Sequence, residues 1–387
     1  MNNPRVAICQ PYFILGGRLS LVLEIVKSLN SMGIEPDIVS LGYSFTPDQI
    51  RQKYGHDLKM NFRTVARWTP WRWLPQDFQI LVFNRLLGKI GKSYDLLINS
   101  SNSQMHLPEK PLVLSYIHFP REYRIKHGVT ESYFRGKPQL LITLARLSDW
   151  YLRRVYAHSH VYPQHHIVCN SEYSRDRFRE MFPDYSREIP VIYPPVKQKH
   201  YQTNETISRS GVISLGRFAR LKLQLEQIKI AEKMPEMDFN LIGFVTEPAY
   251  FERCREYVEK HNLTNVHLHP NLDYKRMVEL LNSSRYFLHT LVDEPFGITA
   301  VESIAAGCIP IVHNSGGQKE TVPITGLRYD SFDEVPGIIN DLESKGPQEA
   351  DDIILFLQSH ARENFDEHRF LEKMSLLIKQ ILLAADR

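Results

Sequence analysis

Short apolar runs that read as buried strands alternate with stretches of helical periodicity along this chain, and the alternation begins twice. Residues 6–10 read as a strand, 19–32 as a helix with Leu19, Leu23, Val26 and Leu29 on its apolar face, and 36–41 as the next strand. Gly33 follows that helix, where a left-handed residue ends it. Further strands are expected at 96–99, 112–117, 166–169 and 191–193. Repeated strand–helix units imply a parallel, doubly wound sheet with ligand sites beyond the carboxyl ends of its strands. The pattern then resets. Pro194-Pro195 and the polar stretch 197–210 read as a linker, and a second series starts at 211–215 and continues at 239–242, 266–268, 286–289 and 309–313. Phe370, Met374, Leu377, Ile378 and Ile381 form a helical stripe near the end, so the last helix packs against something. The expected organisation is α/β, with two Rossmann-like doubly wound domains facing across a cleft: residues 1–195, a linker at 196–210, residues 211–365, and a C-terminal helix at 366–387 that packs back.

A length of 387 residues suits two domains of about 150–200 residues, each large enough for its own core. No apolar run approaches the roughly 20 residues that a spanning helix requires. The first strand follows the N-terminus without an apolar leader, so a cytoplasmic location is expected. Cys9, Cys169, Cys254 and Cys308 are scattered without a Cys-x-x-Cys pair and read as buried, reduced thiols. Charge is divided unevenly. Residues 1–200 hold 27 Lys and Arg against 16 Asp and Glu, a net +11, whereas residues 201–387 hold 20 against 28, a net −8. The first part therefore suits an anionic partner.

The stretch from Glu294 to Val312 carries the most chemistry. It reads as a strand end, a short turn at Pro295-Phe296-Gly297, a helix containing Glu302, a stop at Gly307 and another strand. Gly297 lets a ligand approach the backbone, and the free N–H groups of the new helix favour an anion. Glu294 lies before the helix and Glu302 within it. Carboxylates accept hydrogen bonds from hydroxyls, so the two could hold a sugar at one end and a ribose at the other. Read singly, either glutamate is as well explained by the helix dipole or by solvent exposure.

Glu294 and Glu302, with Phe296-Gly297 and Ala305-Ala306-Gly307, resemble the E-x7-E signature of glycosyltransferase family 4, the retaining GT-B enzymes. The resemblance implies that Glu294 binds the hydroxyls of the transferred sugar and Glu302 the nucleotide ribose. Phe296, Gly297 and Ile298 would lend backbone contacts to sugar and phosphate. Pro295 stands where family members often carry His or Gly. Arg217 and Lys222, just after the first strand of the second domain, match the cations that clamp the diphosphate, and a departing nucleoside diphosphate gains the charge they would meet. Gly16-Gly17-Arg18 matches the glycine loop beside the donor phosphate. His118, in Ser115-Tyr116-Ile117-His118-Phe119-Pro120, matches a His-x-Pro that borders the sugar in mannosyltransferases extending lipid-linked oligosaccharides. Asn170-Ser171 resembles the family's strand-to-helix segment, although Ser171 is also a natural N-cap. Tyr193-Pro194-Pro195-Val196 and Asn314-Ser315-Gly316-Gly317 are similar to the same mannosyltransferases.

No Asp-x-Asp triplet occurs, so no metal is expected, and no cofactor beyond the nucleotide diphosphate sugar, which is a substrate. The resemblance implies a hexosyltransferase moving mannose from GDP-mannose to a glycan or lipid-linked acceptor, or else a UDP-sugar-dependent enzyme of surface polysaccharide synthesis, and no nucleic-acid partner is expected. A GT-B sugar-nucleotide epimerase and a catalytically silent lectin-like scaffold are the rival classes. On the acceptor side, all four tryptophans lie in the basic half, three of them in Arg67-Trp68-Thr69-Pro70-Trp71-Arg72-Trp73. With Arg121, Arg124, Lys126, Arg135, Lys137, Arg146, Arg153 and Arg154 they suit either an anionic membrane surface or a solvated basic face.

Overall fold

The computed structural model describes residues 4–13, 17–43, 48–50, 58–65, 76–101, 111–127, 150, 154, 161–162, 165–201 and 208–385. The chain divides into two compact units, one of Met1–Pro195 with Glu367–Arg387 and the other of Val196–Asp366.

In the first unit the strands are β1 (Val6–Cys9), β2 (Tyr12–Phe13), β3 (Asp37–Ser40), β4 (Gly42–Tyr43), β5 (Asn61–Thr64), β6 (Leu96–Asn99), β7 (Leu112–Ile117) and β8 (His166–Cys169). The helices between them include α1 (Gly17–Ser31), α2 (Gln76–Ile90), α3 (Arg121–Lys126) and α4 (Glu172–Met181). The main sheet runs β5-β3-β1-β6-β7-β8, with every pair parallel, and β2 pairs with β4 beside it. Successive side chains of β1 go to opposite faces: Val6 and Ile8 join one buried cluster, Ala7 and Cys9 the other. That is why its sequence is apolar throughout rather than alternating.

The stripe on the last helix has its partner here. In α12 (Glu367–Ala385), Phe370, Met374, Ile378 and Ile381 are buried in the same cluster as Leu19, Leu23, Val26 and Leu29 of α1, with Leu377 packed against it. Gly33, at φ +77°, ends α1 as expected. Ser171 caps α4 by accepting from the Ser174 N–H at 3.0 Å. The strand expected at 191–193 is reduced to one bridge between Val191 and Cys169. Pro190 on one side and Pro194-Pro195 on the other lack N–H groups, so the ladder cannot extend.

In the second unit, β9 (Val212–Leu215), β10 (Phe239–Gly243), β11 (Val266–Pro270), β12 (Tyr286–His289), β13 (Ile309–His313) and β14 (Arg328–Tyr329) form a parallel sheet in the order β11-β10-β9-β12-β13-β14. Its helices are α5 (Gln224–Glu232), α6 (Pro248–Lys260), α7 (Tyr274–Ser283), α8 (Ile298–Ala306), α9 (Gln318–Thr321), α10 (Val335–Ser344) and α11 (Pro347–Phe365). The sequence places the linker at 196–210; within it, residues 198–200 form a 3-10 turn. Taken in chain order, both six-stranded sheets have the doubly wound arrangement in which the third strand lies at one edge and the first and fourth are central neighbours. The winding direction reverses between β1 and β6, and again between β9 and β12. Loops leaving the carboxyl ends of those two strands splay apart and leave room for a ligand. All four cysteines are buried free thiols. Among the described residues no helix is long and apolar enough to cross a membrane.

Candidate functional site

The carboxyl ends of β9 and β12 receive the charged residues singled out in the second half of the sequence. After β9 the chain passes through Gly216 and Arg217 to a 3-10 turn at Arg220–Lys222, then through Leu223 in the left-handed region (φ +57°) into α5. Two polar contacts hold this loop: Gln224 Nε2 donates to the Arg217 carbonyl at 2.7 Å, and Thr290 Oγ1 donates to the Lys222 carbonyl at 2.9 Å. Thr290 in turn accepts from Gln227 Nε2 at 2.7 Å. Gly243, at the end of β10, comes so close to this loop that a Cβ there would lie 1.8 Å from the Gly216 carbonyl oxygen.

Lys222 reaches from that loop to the residues after β12. Its Nζ donates to Glu294 Oε2 at 2.9 Å, and both side chains are largely buried. His289, the last residue of β12, is 4% exposed, and its Nε2 lies 3.5 Å from the same carboxylate oxygen. Burial, and then the Lys222 charge, push the His289 imidazole down to about 4, with Glu294 opposing. At neutral pH the imidazole beside the Lys222–Glu294 contact is thus neutral. A buried carboxylate with a cationic partner avoids the desolvation cost it would carry alone.

The backbone around Glu294 is set from the next strand. The Gly317 N–H donates to the Glu294 carbonyl at 2.8 Å, and Ser315 Oγ accepts from the Asp293 N–H at 2.8 Å. Asp293 is left-handed at φ +56°. A Cβ on Gly316 would lie 2.4 Å from the Glu294 carbonyl oxygen, and one on Gly317 would lie 2.1 Å from that of Pro295. Asn314-Ser315-Gly316-Gly317 therefore serves as the close-fitting support of the Glu294 turn. Phe296 is buried, with its ring 5.3 Å from that of Phe365, so only its backbone can face a ligand. Gly297, left-handed at φ +97°, is the N-cap of α8 and supplies no capping side chain. Ile298 at the first position is exposed, and while the Ala300 N–H donates back to the Gly297 carbonyl at 3.0 Å, the helix offers no acceptor to the N–H groups of Ile298 and Thr299.

Glu302, one turn into α8, has a different partner. Tyr201 Oη donates to its Oε1 at 2.7 Å. Burial pushes the Glu302 carboxyl up to about 7, although the Tyr201 hydrogen bond acts in the opposite sense. Tyr201 is 8% exposed, and its ring lies 6.3 Å from that of Tyr274 at the start of α7.

The structure thus joins Lys222 with Glu294, sets Glu302 apart on Tyr201, and leaves Arg217 exposed at the mouth of the β9 loop. In the first unit, His118 directly follows β7, and there its carbonyl accepts from Ser174 Oγ at 2.9 Å and its ring meets Tyr116 edge-on at 5.2 Å. Gly17 opens α1, while Gly16 lies outside the described residues. So do Trp68, Trp71, Trp73, Arg135, Lys137, Arg146 and Arg153; Trp150 is exposed, with the Arg154 guanidinium 5.0 Å from its ring. Among the described residues no cluster of His, Cys, Asp or Glu is arranged to hold a metal ion. Sequence reasoning missed His289 and Tyr201. A polar His-Thr pair closing the apolar run Tyr286-Phe287-Leu288 was a usable signal for the first; a tyrosine within a polar linker was none for the second.

Residues 198–324 match the family described as Glycosyl transferases group 1, so Tyr201, Arg217, Lys222, His289, Glu294 and Glu302 all fall within the match. The chain is 24% identical over 247 residues to a GDP-Man:Man(3)GlcNAc(2)-PP-Dol alpha-1,2-mannosyltransferase of Dictyostelium discoideum, an alignment that covers 56% of this chain and 48% of that one. It is 24% identical over 371 residues to an alpha-1,3/1,6-mannosyltransferase of Schizosaccharomyces pombe, covering 82% and 69%. The chain therefore spans about half the length of the first of these relatives. Among solved structures, the Anabaena protein HepE in complex with UDP-glucose superposes with a TM-score of 0.70 at 14% identity, covering 97% of this chain and all of that one. The two doubly wound units are those of the GT-B fold.

Proposed function

We propose that this chain, whose second unit is related to the group 1 glycosyltransferases, is a retaining glycosyltransferase that moves mannose from GDP-mannose onto a lipid-linked glycan. The observation that carries the reading is the placing of Glu294 at the sheet's switch point, held by Lys222 and followed at once by the open N-terminus of α8. A bare carboxylate accepts hydrogen bonds from sugar hydroxyls but would repel a diphosphate. A lysine shared between the two resolves that conflict, because its ammonium has three N–H donors and can serve Glu294 and a phosphate oxygen together.

Bond cleavage leaves negative charge on the nucleoside diphosphate. The first-turn N–H groups of α8, the Lys222 ammonium and the Arg217 guanidinium meet that charge as it grows, which lowers the barrier more than it tightens substrate binding. In this reading Glu294 orients the transferred sugar and Glu302 accepts from the ribose. The acceptor attacks from the face the diphosphate leaves, so the anomeric configuration is kept. The electrostatic work assigned to these cations and N–H groups is what a metal does elsewhere, so the reaction is proposed to proceed without one. The basic first half, in turn, is proposed to rest on the anionic cytoplasmic face of a membrane, where a lipid-linked acceptor would be found.

Thermal-shift titration with GDP-mannose, UDP-glucose, UDP-galactose and UDP-N-acetylglucosamine tests the donor, since only ligands of the folded state raise its melting temperature. A response to GDP-mannose, followed by mannose incorporation that needs an added acceptor, supports the proposal. A response to a UDP-sugar alone changes the donor, turnover without acceptor points to an epimerase, and binding without turnover to a silent scaffold.

A further inference from the structure

Tyr201 stands in the segment 196–210 that the sequence marks as a linker, and the start of that segment is fastened to α11. Its neighbour Gln198 donates from Nε2 to the Ala361 carbonyl at 2.9 Å, and the Val196 N–H donates to the Phe365 carbonyl at 2.9 Å. The Tyr201 N–H closes the 3-10 turn by donating to the Gln198 carbonyl at 3.1 Å. A phenol ring held this way has few rotamers left, so its hydroxyl is a fixed donor rather than an opportunistic one. That donor meets Glu302 Oε1 at 2.7 Å, a charge-assisted distance. Oε2 of the same carboxylate makes no hydrogen bond within the described residues. Tyr274, 53% exposed, stands next to Tyr201 and marks the side on which the pair opens to solvent.

We propose that Tyr201 is the positioning residue of the nucleotide site: by tying down one oxygen of Glu302 it fixes the carboxylate plane and presents the other oxygen to the ribose hydroxyls. This rests on the donor reading above and deepens it. A carboxylate on a helix has rotational freedom about its side-chain bonds, and each hydroxyl it binds must offset the loss of that freedom. When the plane is set in advance, the ribose contact keeps its full value. Without Tyr201 the carboxylate also loses the hydrogen bond that opposes the upward push of burial on its pKa, and a protonated acid accepts less well.

The test is a two-way comparison of Tyr201→Phe with wild type, each titrated calorimetrically with GDP and with 2′,3′-dideoxy-GDP. For wild type, removal of the ribose hydroxyls is expected to weaken binding about tenfold or more, as for loss of hydrogen bonds to a charged acceptor. In Tyr201→Phe that ratio falls to about twofold or less, while affinity for the dideoxy nucleotide stays near wild type. Glu302→Gln, measured in parallel, reproduces the collapsed ratio. A merely structural Tyr201 would weaken both nucleotides together and leave the ratio unchanged, which overturns the proposal alone. Wild-type protein that binds neither GDP nor UDP overturns the donor reading as well.

Discussion

Lys222 Nζ sits 2.9 Å from Glu294 Oε2, so a cation expected to clamp a diphosphate is also the partner of the carboxylate expected to hold the sugar. The two roles are coupled, and the coupling can be measured. In Glu294→Gln the amide cannot anchor the ammonium by charge, which releases Lys222 towards phosphate. Turnover should fall by about a hundredfold or more, while GDP affinity holds or tightens. Glu302→Gln should do the reverse and weaken GDP. Calorimetry with both variants decides it; equal loss of nucleotide binding would contradict the division of labour.

Lys222→Ala and Arg217→Ala should lower kcat by more than they raise the donor's KM, because the charge they oppose grows as the bond breaks. Lys222→Ala carries a second cost, since it strands a largely buried carboxylate, and it should therefore unfold at lower denaturant than Arg217→Ala, whose side chain is exposed. Activity in EDTA should equal activity in magnesium. Dependence on the added ion would refute a purely cationic clamp.

Stability against pH should reveal Glu302 and His289 with opposite signs. Glu302 titrates at about 7 in the folded protein against an ordinary 4.5, so its contribution is present below 4.5 and lost as pH rises through 7. The difference amounts to roughly 3 kcal/mol. Glu302→Gln should therefore be more stable than wild type at pH 8, with the gap closing towards pH 4.5. His289 is lowered from 6.5 to about 4, so its contribution is present above 6.5 and lost as pH falls through 4. His289→Gln should flatten that acid limb, whereas Glu302→Gln should steepen it, because in wild type the two slopes oppose each other. Urea unfolding across pH 4 to 8 checks both; parallel curves for all three proteins would show that neither group is perturbed.

Gly317→Ala should disable the site without touching a charged residue. The new Cβ would fall 2.1 Å from the Pro295 carbonyl oxygen, where only backbone can give way, and the N–H that holds the Glu294 carbonyl moves with it. We expect a loss of about 1–3 kcal/mol in stability and a larger loss of turnover. Gly326→Ala, with open space around its Cβ, is the control and should retain activity.

Docking on a bilayer should depend on charge. Residues 1–200 carry a net +11 and the remainder −8. Each Lys or Arg at an anionic surface contributes about 1 kcal/mol, and salt weakens it. Co-sedimentation with phosphatidylserine vesicles at low salt, lost at high salt or with neutral lipid, is the expected result. Indifference to lipid charge would assign the basic half to a soluble partner.

Most of the fold was legible because strands buried on both faces must be apolar throughout and helices must show a 3.6-residue stripe; β6, β7, β8, β12 and β13 were readable to the residue. The edge strands β5 (Asn61–Thr64) and β14 (Arg328–Tyr329) were not, since the first is polar and largely exposed and the second only two residues long, so both resemble loops. The proline-flanked segment at 191–193 misled for the converse reason: its side chains suit a strand, but its neighbours cannot supply the hydrogen bonds.

Within the site, the sequence by itself determined the cast. Glu294, Glu302, Arg217, Lys222 and the glycines around them were singled out as candidates through their resemblance to the E-x7-E signature and its diphosphate clamp, whereas read one by one each had another explanation. Only the tertiary structure decided the pairings. Lys222 meets Glu294 across 72 positions and Tyr201 meets Glu302 across 101, contacts that exist because β9 and β12 are central neighbours and because the start of the linker is tied to α11. Local periodicity reports which face of an element is buried. It cannot report which residue of a distant element shares that burial, and that sharing sets both the charge on Glu302 and the neutrality of His289.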